Sequence, residues 1–321
     1  MRTCWKELVS QHSPDHIGLA YDVWAIRDDT GKVPVEKRDD WLQRLTEIKI
    51  SPDYQVGCYK RWFDALCQDG SRAERMTLSS RLLVGHGNPS ATEVGLTVHH
   101  TWGVPVIPGS ALKGLLSHYL EATYGLLPNP TNPINPVDPT LTDDIKQRAL
   151  LQGVTWAENK ILYGPGAIYR ALFGAPEAEH DHDFPEESGA TQGCVIFHDA
   201  LYIPGLVKNN TPFAQDVLTV HQFQYYKNEG KSLPNDYDDP NPVGFISVRP
   251  GTQFLIALSG PPVWTKFAMD HLKEALQEWG VGGKSAAGYG LAKPDGWHVE
   301  IDPVLLAMRQ DAAMVEFLRV G

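Results

Sequence analysis

The chain has 321 residues, 42% of them hydrophobic and 21% charged, which suits a globular protein with one large domain and insertions, or two modest ones, and excludes a mostly disordered or fibrous chain. With 28 Lys and Arg against 39 Asp and Glu the formal charge is −11, so no global field attracts nucleic acid and any such contact must come from a local patch. No stretch approaches the ~20 apolar residues of a membrane span, and the N-terminus (MRTCWKELVS) lacks the apolar core of a signal peptide; a soluble, cytoplasmic protein is expected. Cys4, Cys58, Cys67 and Cys194 contain no C-x-x-C pair and read as reduced thiols, not as a zinc ribbon or a disulfide framework.

Residues 1–75 read as a helical N-terminal extension: Trp41, Leu42, Leu45 and Ile48 recur at helical spacing, and Trp62, Phe63 and Leu66 mark another short helix. A strand follows, with Met76, Leu78, Leu82 and Val84 alternating against Arg75, Thr77, Ser79 and Arg81, and closed by His86 to Pro89. The run Val104–Ile107 is extended up to Pro108 and Gly109. Ser110 is the predicted N-cap of a helix through Leu116, Tyr119 and Leu120. Prolines at 128, 130, 133, 136 and 139 bar helix or central strand and indicate an exposed insertion, followed by a short helix over 144–151. Residues 176–187 carry six acids and no Lys or Arg, the pattern of a solvated loop.

Residues 193–200 read as a strand and 222–241 as an aromatic, polar loop. Segments 243–248 and 253–259 suggest a hairpin turned by Pro250 and Gly251. Phe267, Leu272, Ala275, Leu276 and Trp279 form the apolar stripe of a helix that stops at Gly280. A last strand near Trp297–Ile301 and a C-terminal helix over 302–321, opened by Asp302 and Pro303, complete the reading. The order strand, helix, strand, hairpin, helix, strand predicts an α+β, ferredoxin-like core over 76–301, with large insertions near 126–190 and 205–242.

Two motifs could carry chemistry. The first runs from Gly280 to Gly290 with the spacing G-x-G-x5-G-x-G. Its exposed N–H groups could cradle phosphates with Lys284 adding a point charge, or the glycines could simply pack a helix against a sheet. Gly283-Lys284-Ser285 is not a Walker loop, because Glu278 stands where that motif needs its first glycine. The second motif is Ile107 to Gly114, where Ser110 and Lys113 occupy a first helical turn that favours an anion; a plain N-cap with a solvated lysine is the alternative. His180 and His182, and the adjacent His99 and His100, lack the partners of a metal site. His198-Asp199 reads as a loop-end pair and not a dyad. No cofactor or metal is expected.

Together these motifs resemble the RAMP superfamily of CRISPR RNA-binding proteins, and more narrowly the sixth-subunit type of the Cmr effector complex of type III-B systems. The blocks that carry the resemblance are Leu82 to Gly87, Glu93 to Gly95, Val106 to Gly114, Leu172 to Gly174, Gly193 to Ala200, Asp216 to His221 with Tyr225 and Tyr226, and the final glycine loop. The resemblance implies a non-catalytic RNA-binding subunit with a ferredoxin-like core, placed near the 3′ end of the guide RNA (crRNA), contacting other RAMP subunits and meeting target RNA only indirectly. Carried onto this sequence, Gly109, Ser110, Lys113, Gly282, Gly283, Lys284 and Ser285 become phosphate contacts. Gly288, Tyr289 and Gly290 complete the loop, and Arg81 adds a cation from the polar strand face. Lys113 and Lys284 are expected on one connected surface.

The segment 222–241, with Phe223, Tyr225, Tyr226, Lys227 and Lys231, is expected to face RNA or a neighbouring subunit; its tyrosines could equally cover the domain's own sheet. Two other readings stay open. A metal-independent guide-RNA-processing endoribonuclease of the same superfamily would use a His or Tyr as general acid and base beside the first helix, where His118 with Tyr119 offers one. A protein-interaction scaffold would make no RNA contact at all.

Overall fold

The computed structural model describes residues 15–294, apart from 26, 69–70, 127–139, 158, 180–189, 206, 208–210, 221–224, 226, 232 and 234–240. The predicted C-terminal strand and helix, the proline-rich segment and most of the acidic loop therefore lie outside the described residues. In chain order the elements are α1 (Val35–Thr46), α2 (Lys60–Gln68), β1 (Arg72–Leu78), β2 (Val106–Ile107), α3 (Gly109–Tyr124), α4 (Asp143–Ala149), β3 (Thr155–Ala157) and β4 (Lys160–Tyr163). Then come α5 (Ala167–Phe173), β5 (Gly174–Ala175), β6 (Thr191–Gln192), β7 (Ile196–Phe197), β8 (Ala200–Tyr202), β9 (Phe213–Val220), β10 (Asn241–Val248), β11 (Gln253–Ser259), α6 (Pro262–Glu278) and β12 (Ala292–Pro294). The result is a mixed α+β protein. Among the described residues no helix is long and apolar enough to cross a membrane.

The main sheet is antiparallel in the order β12-β1-β11-β8-β2, with β7 also paired to β11. Every residue of β11 is buried. Successive side chains point to opposite faces, so both faces of this strand are covered, and its sequence reads as a continuous apolar run with no alternation. Helix α6 buries Ala268, Met269, Leu272, Ala275 and Leu276, a stripe at helical spacing. It runs antiparallel to α3: Tyr119 of α3 meets Glu278 and Trp279, while Tyr124, further along α3, meets Glu274 and His271.

The N-terminal segment is tied into the same core. Ile17, Tyr21, Leu42, Leu45, Tyr54 and Phe63 share one buried cluster with Met76, Phe254 and Leu272. Tyr54 is fully buried, stacks on Tyr202, and donates its hydroxyl to the Tyr202 carbonyl at 2.8 Å. Burial pushes its phenol far above the ordinary tyrosine range.

Three local readings of the sequence need correction. The strand expected over 76–84 starts at Arg72 and ends at Leu78. Beyond it Ser79 and Ser80 donate to the Leu291 carbonyl, and Leu82 exchanges backbone bonds with Val248 of β10 (3.1 and 2.8 Å); the alternation ran on because Leu82 and Val84 are buried against a different partner. The 243–248 and 253–259 segments are not a hairpin. The chain does turn at Gly251 (φ +82°), but β10 pairs along its whole length with β9, whereas β11 lies in the main sheet. The single strand expected over 193–200 is two short ones, β7 and β8, separated by His198 and Asp199.

Tyr54 joins the N-terminal segment to the sheet, so Tyr54→Ala should cost about 3–5 kcal/mol of stability. Tyr54→Phe, which orphans only one carbonyl, should cost about 1–2 kcal/mol. Urea unfolding of both variants checks the ratio, and near-equal costs would show that packing is not what Tyr54 contributes.

Candidate nucleic-acid interface

Helix α6 stops because Gly280 adopts φ +73° and returns its N–H to the Ala275 carbonyl at 3.1 Å, the left-handed ending that glycine favours. The chain then closes on itself. The Val281 N–H donates to the Gly290 carbonyl (3.0 Å), the Gly290 N–H to the Arg81 carbonyl (2.7 Å), and the Gly283 N–H to the Leu83 carbonyl (2.7 Å). A Cβ on Gly290 would stand 1.9 Å from the Val281 oxygen, and one on Gly282 2.5 Å from the Leu83 oxygen. The base of the loop is therefore glycine because backbone meets backbone there. Gly288 differs: its φ is +85° but a Cβ would meet nothing within 4 Å.

The apex is built otherwise. Ser285–Ala287 make one 3-10 turn, preceded by Lys284 in the left-handed region (φ 60°). Ala287 and Tyr289 donate to the Lys284 carbonyl, and Gly288 to that of Ser285. The N–H groups of Lys284, Ser285 and Ala286 find no acceptor among the described residues. Ser285 to Gly288 are exposed and Lys284 is half-exposed, with no acidic partner for Lys284 among the described residues. His86 lies against this apex, its Cβ 3.2 Å from where a Gly283 Cβ would be. Burial, and then the Lys284 charge, hold its imidazole below the usual histidine range, and its Nδ1 is buried without a partner among the described residues.

The start of α3 departs from the sequence reading. Pro108, not Ser110, is the N-cap residue, and Ser110 is exposed and makes no capping bond. The cap comes from Asp199, whose Oδ1 accepts from the Gly109 N–H at 2.7 Å. Gly109 is buried, and a Cβ on it would stand 2.1 Å from the Phe197 carbonyl. Its amide already has its partner, so it is a packing and capping position. With the cap at Pro108, Lys113 falls just past the first turn; it is half-buried and has no ion pair among the described residues. Gly109 packs on Phe197, which pairs with Leu258 at one end of β11, whereas the glycine loop follows β1 past Leu78, whose N–H meets the Thr252 carbonyl at the other end.

Arg81 and Tyr289 converge on Asp216, which the sequence offered only as the first residue of a resemblance block and with no role. Arg81 Nε is 3.3 Å from Asp216 Oδ2, and its Nη1 donates to the Gln215 carbonyl and the Ser247 hydroxyl. The Tyr289 hydroxyl donates to the same Asp216 oxygen at 2.7 Å, and burial together with that carboxylate pushes its phenol up to about 12. Both side chains thus clamp the loop to β9. Asp216 looks in sequence like any polar residue of an alternating strand; only the pairing of β9 with β10, beside Leu82, brings it to Arg81. Lys227 and Lys231 are exposed, far along the segment that joins β9 to β10, at a turn where Glu229 and Gly230 have positive φ. Tyr225 is half-buried there; Phe223 and Tyr226 lie outside the described residues.

The chain matches the RAMP superfamily over residues 75–293. It is 28% identical over 264 residues to the CRISPR system Cmr subunit Cmr6 of Pyrococcus furiosus, covering 76% of this chain and 75% of that protein. Among solved structures, a chain of the type III-B Cmr-beta complex bound to cognate target RNA has the same fold, with a TM-score of 0.52 and 16% identity over 86% of this chain and 78% of that chain. The crystal structure of Cmr6 from Pyrococcus furiosus aligns over 70% of this chain and 98% of its own, at 25% identity and a TM-score of 0.38.

The two kinds of glycine separate by mutation. Gly290→Ala drives a methyl into a carbonyl at a positive φ and should cost more than ~2 kcal/mol. Gly288→Ala has open space and should cost only about 1 kcal/mol of backbone strain. Thermal and urea midpoints measured side by side decide it; equal losses would refute the division of the loop into a packed base and an open apex.

Proposed function

Since the chain belongs to the RAMP superfamily, we propose that it is a non-catalytic RNA-binding subunit of a type III-B CRISPR effector, holding guide RNA near its 3′ end and touching neighbouring RAMP subunits, with target RNA met only indirectly. The similarity to Cmr6 over three-quarters of both chains supports the assembly. The observation that carries RNA binding is the exposed apex of the glycine loop, where Lys284 has no acidic partner among the described residues, on a body of charge −11; Lys113, also without an ion pair among them, is a second proposed contact. Three amides of the loop apex point the same chemistry at a phosphate. Gly109 acts here only by shaping the start of α3, and Arg81 and Tyr289 by holding the loop. Ser110, Lys227 and Lys231, exposed as they are, remain proposed contacts for RNA or a neighbour.

A ferredoxin-like core fits the topology. Taken as β1, α3, β8, β11, α6 and β12, the chain runs β-α-β-β-α-β, and the sheet order β12-β1-β11-β8 puts the last strand beside the first and the third between the first and second. The endoribonuclease reading is less well served. Tyr119 is buried, its hydroxyl is bound to Glu278, and burial and that carboxylate hold its phenol well above the ordinary range, so it cannot act as a base near neutrality. His118, its neighbour on the helix, is exposed and projects about 100° away around the axis.

Lys113→Glu with Lys284→Glu should weaken binding of single-stranded RNA and lower the slope of log affinity against log salt by about 1.4, the share of two phosphates. An unchanged slope would sink the assignment. Purified protein should not cleave a repeat-derived RNA; cleavage that His118→Ala abolishes would establish the enzyme reading instead.

A further inference from the structure

Trp279 is the residue on which α6 ends and the glycine loop begins. Gly280 supplies the stop, so the helix end itself does not need an aromatic residue. Yet Trp279 is a tryptophan that stays 39% exposed. It is also held firmly. Its ring meets that of Tyr119 edge to face, with centroids 5.4 Å apart and planes at 81°, and Tyr119 is itself buried and anchored on Glu278 at 3.1 Å. A T-shaped contact covers at most one face of an indole, and the 39% exposure leaves part of this anchored ring to solvent.

Its place matters as much as its geometry. Even a fully extended chain from Trp279 to Lys284 would span no more than ~18 Å, so the ring lies within reach of the loop apex. A rigid neutral face beside a few cations is the arrangement by which proteins hold single-stranded nucleic acid, with phosphates on the charges and a base on the ring. Resting on the RNA-binding reading above, we propose that Trp279 is a stacking platform for one base of the guide RNA, whose neighbouring phosphate lies on Lys284. Glu274 and Glu278, which accept from Tyr124 and Tyr119, border this ring and repel phosphate from it. They set the strand with its base toward Trp279 and its backbone toward the loop. Every base has a π-face, so the contact accepts any guide sequence.

The test uses the full chain, a fluorescein-labelled single-stranded RNA, and the same RNA made abasic at each position in turn. Trp279→Ala should lower affinity between about 5- and 100-fold while leaving the salt slope unchanged, because no phosphate contact is lost. One abasic position should reproduce the loss and add nothing to it in the variant. Trp279→Phe keeps an aromatic ring against Tyr119 and should recover part of the affinity, which guards against a folding defect in the alanine variant. Wild-type affinity in Trp279→Ala, or a salt slope reduced as in Lys284→Glu, overturns the stacking role and leaves the RNA-binding reading standing. So does a variant that binds RNA normally but fails to join its protein neighbours, which would make Trp279 a protein contact. If the unmutated chain binds neither RNA, both readings fall together.

Discussion

The arrangement at the candidate interface depends on a backbone crossing that leaves no room for a side chain. Gly290 donates to the Arg81 carbonyl while accepting from Val281, and a Cβ there would lie 1.9 Å from the Val281 oxygen. This crossing ties the segment after β1 to the segment after α6. It also sets Tyr289 and Arg81 on either side of Asp216, so that one carboxylate on β9 fastens the loop to a ribbon outside the main sheet. The loop apex is exposed, yet it starts from two anchored ends. A phosphate arriving there meets amides that are already oriented, which lowers the ordering cost of binding.

This division of labour explains why cations are not interchangeable in the site. Arg81 has the richer hydrogen-bonding head, but Asp216, Ser247 and the Gln215 carbonyl engage it; its work is structural. Lys284 has no such partner among the described residues and stands next to a histidine whose imidazole it helps to keep neutral. A neutral His86 adds no competing charge, so a ligand phosphate would be drawn to Lys284 itself.

Local signals in the sequence were reliable where the cause was local. The apolar stripe of α6, its stop at Gly280, the glycine spacing and the turn at Gly251 can all be read from neighbouring residues, and each is present. The failures share one origin, a partner distant in the chain. Ser110 has the ordinary chemistry of an N-cap, yet Asp199, 90 positions from the Gly109 amide it binds, takes that role. Pro250 and Gly251 do turn the chain, but β10 finds β9 and β11 finds β1, a choice made by burial on both faces of β11 and invisible in the turn. Arg81 reads as a free cation because Asp216 is 135 residues away in a strand whose polar positions carry no mark of their partner.

A guide carrier must hold any sequence firmly, and on the proposed reading that task falls to a strongly acidic body. Phosphate contacts made by amides and isolated lysines carry no base information, and they need only a local field, since a Debye length of about 8 Å at physiological salt screens distant acids. On the proposed reading the 39 Asp and Glu residues would act as a filter, disfavouring nucleic acid away from the loop apex, where the amides without acceptors and Lys284 are exposed. On that reading the acidic body and the local cationic apex are two parts of one selectivity, because a uniformly basic protein would bind RNA tightly in many registers.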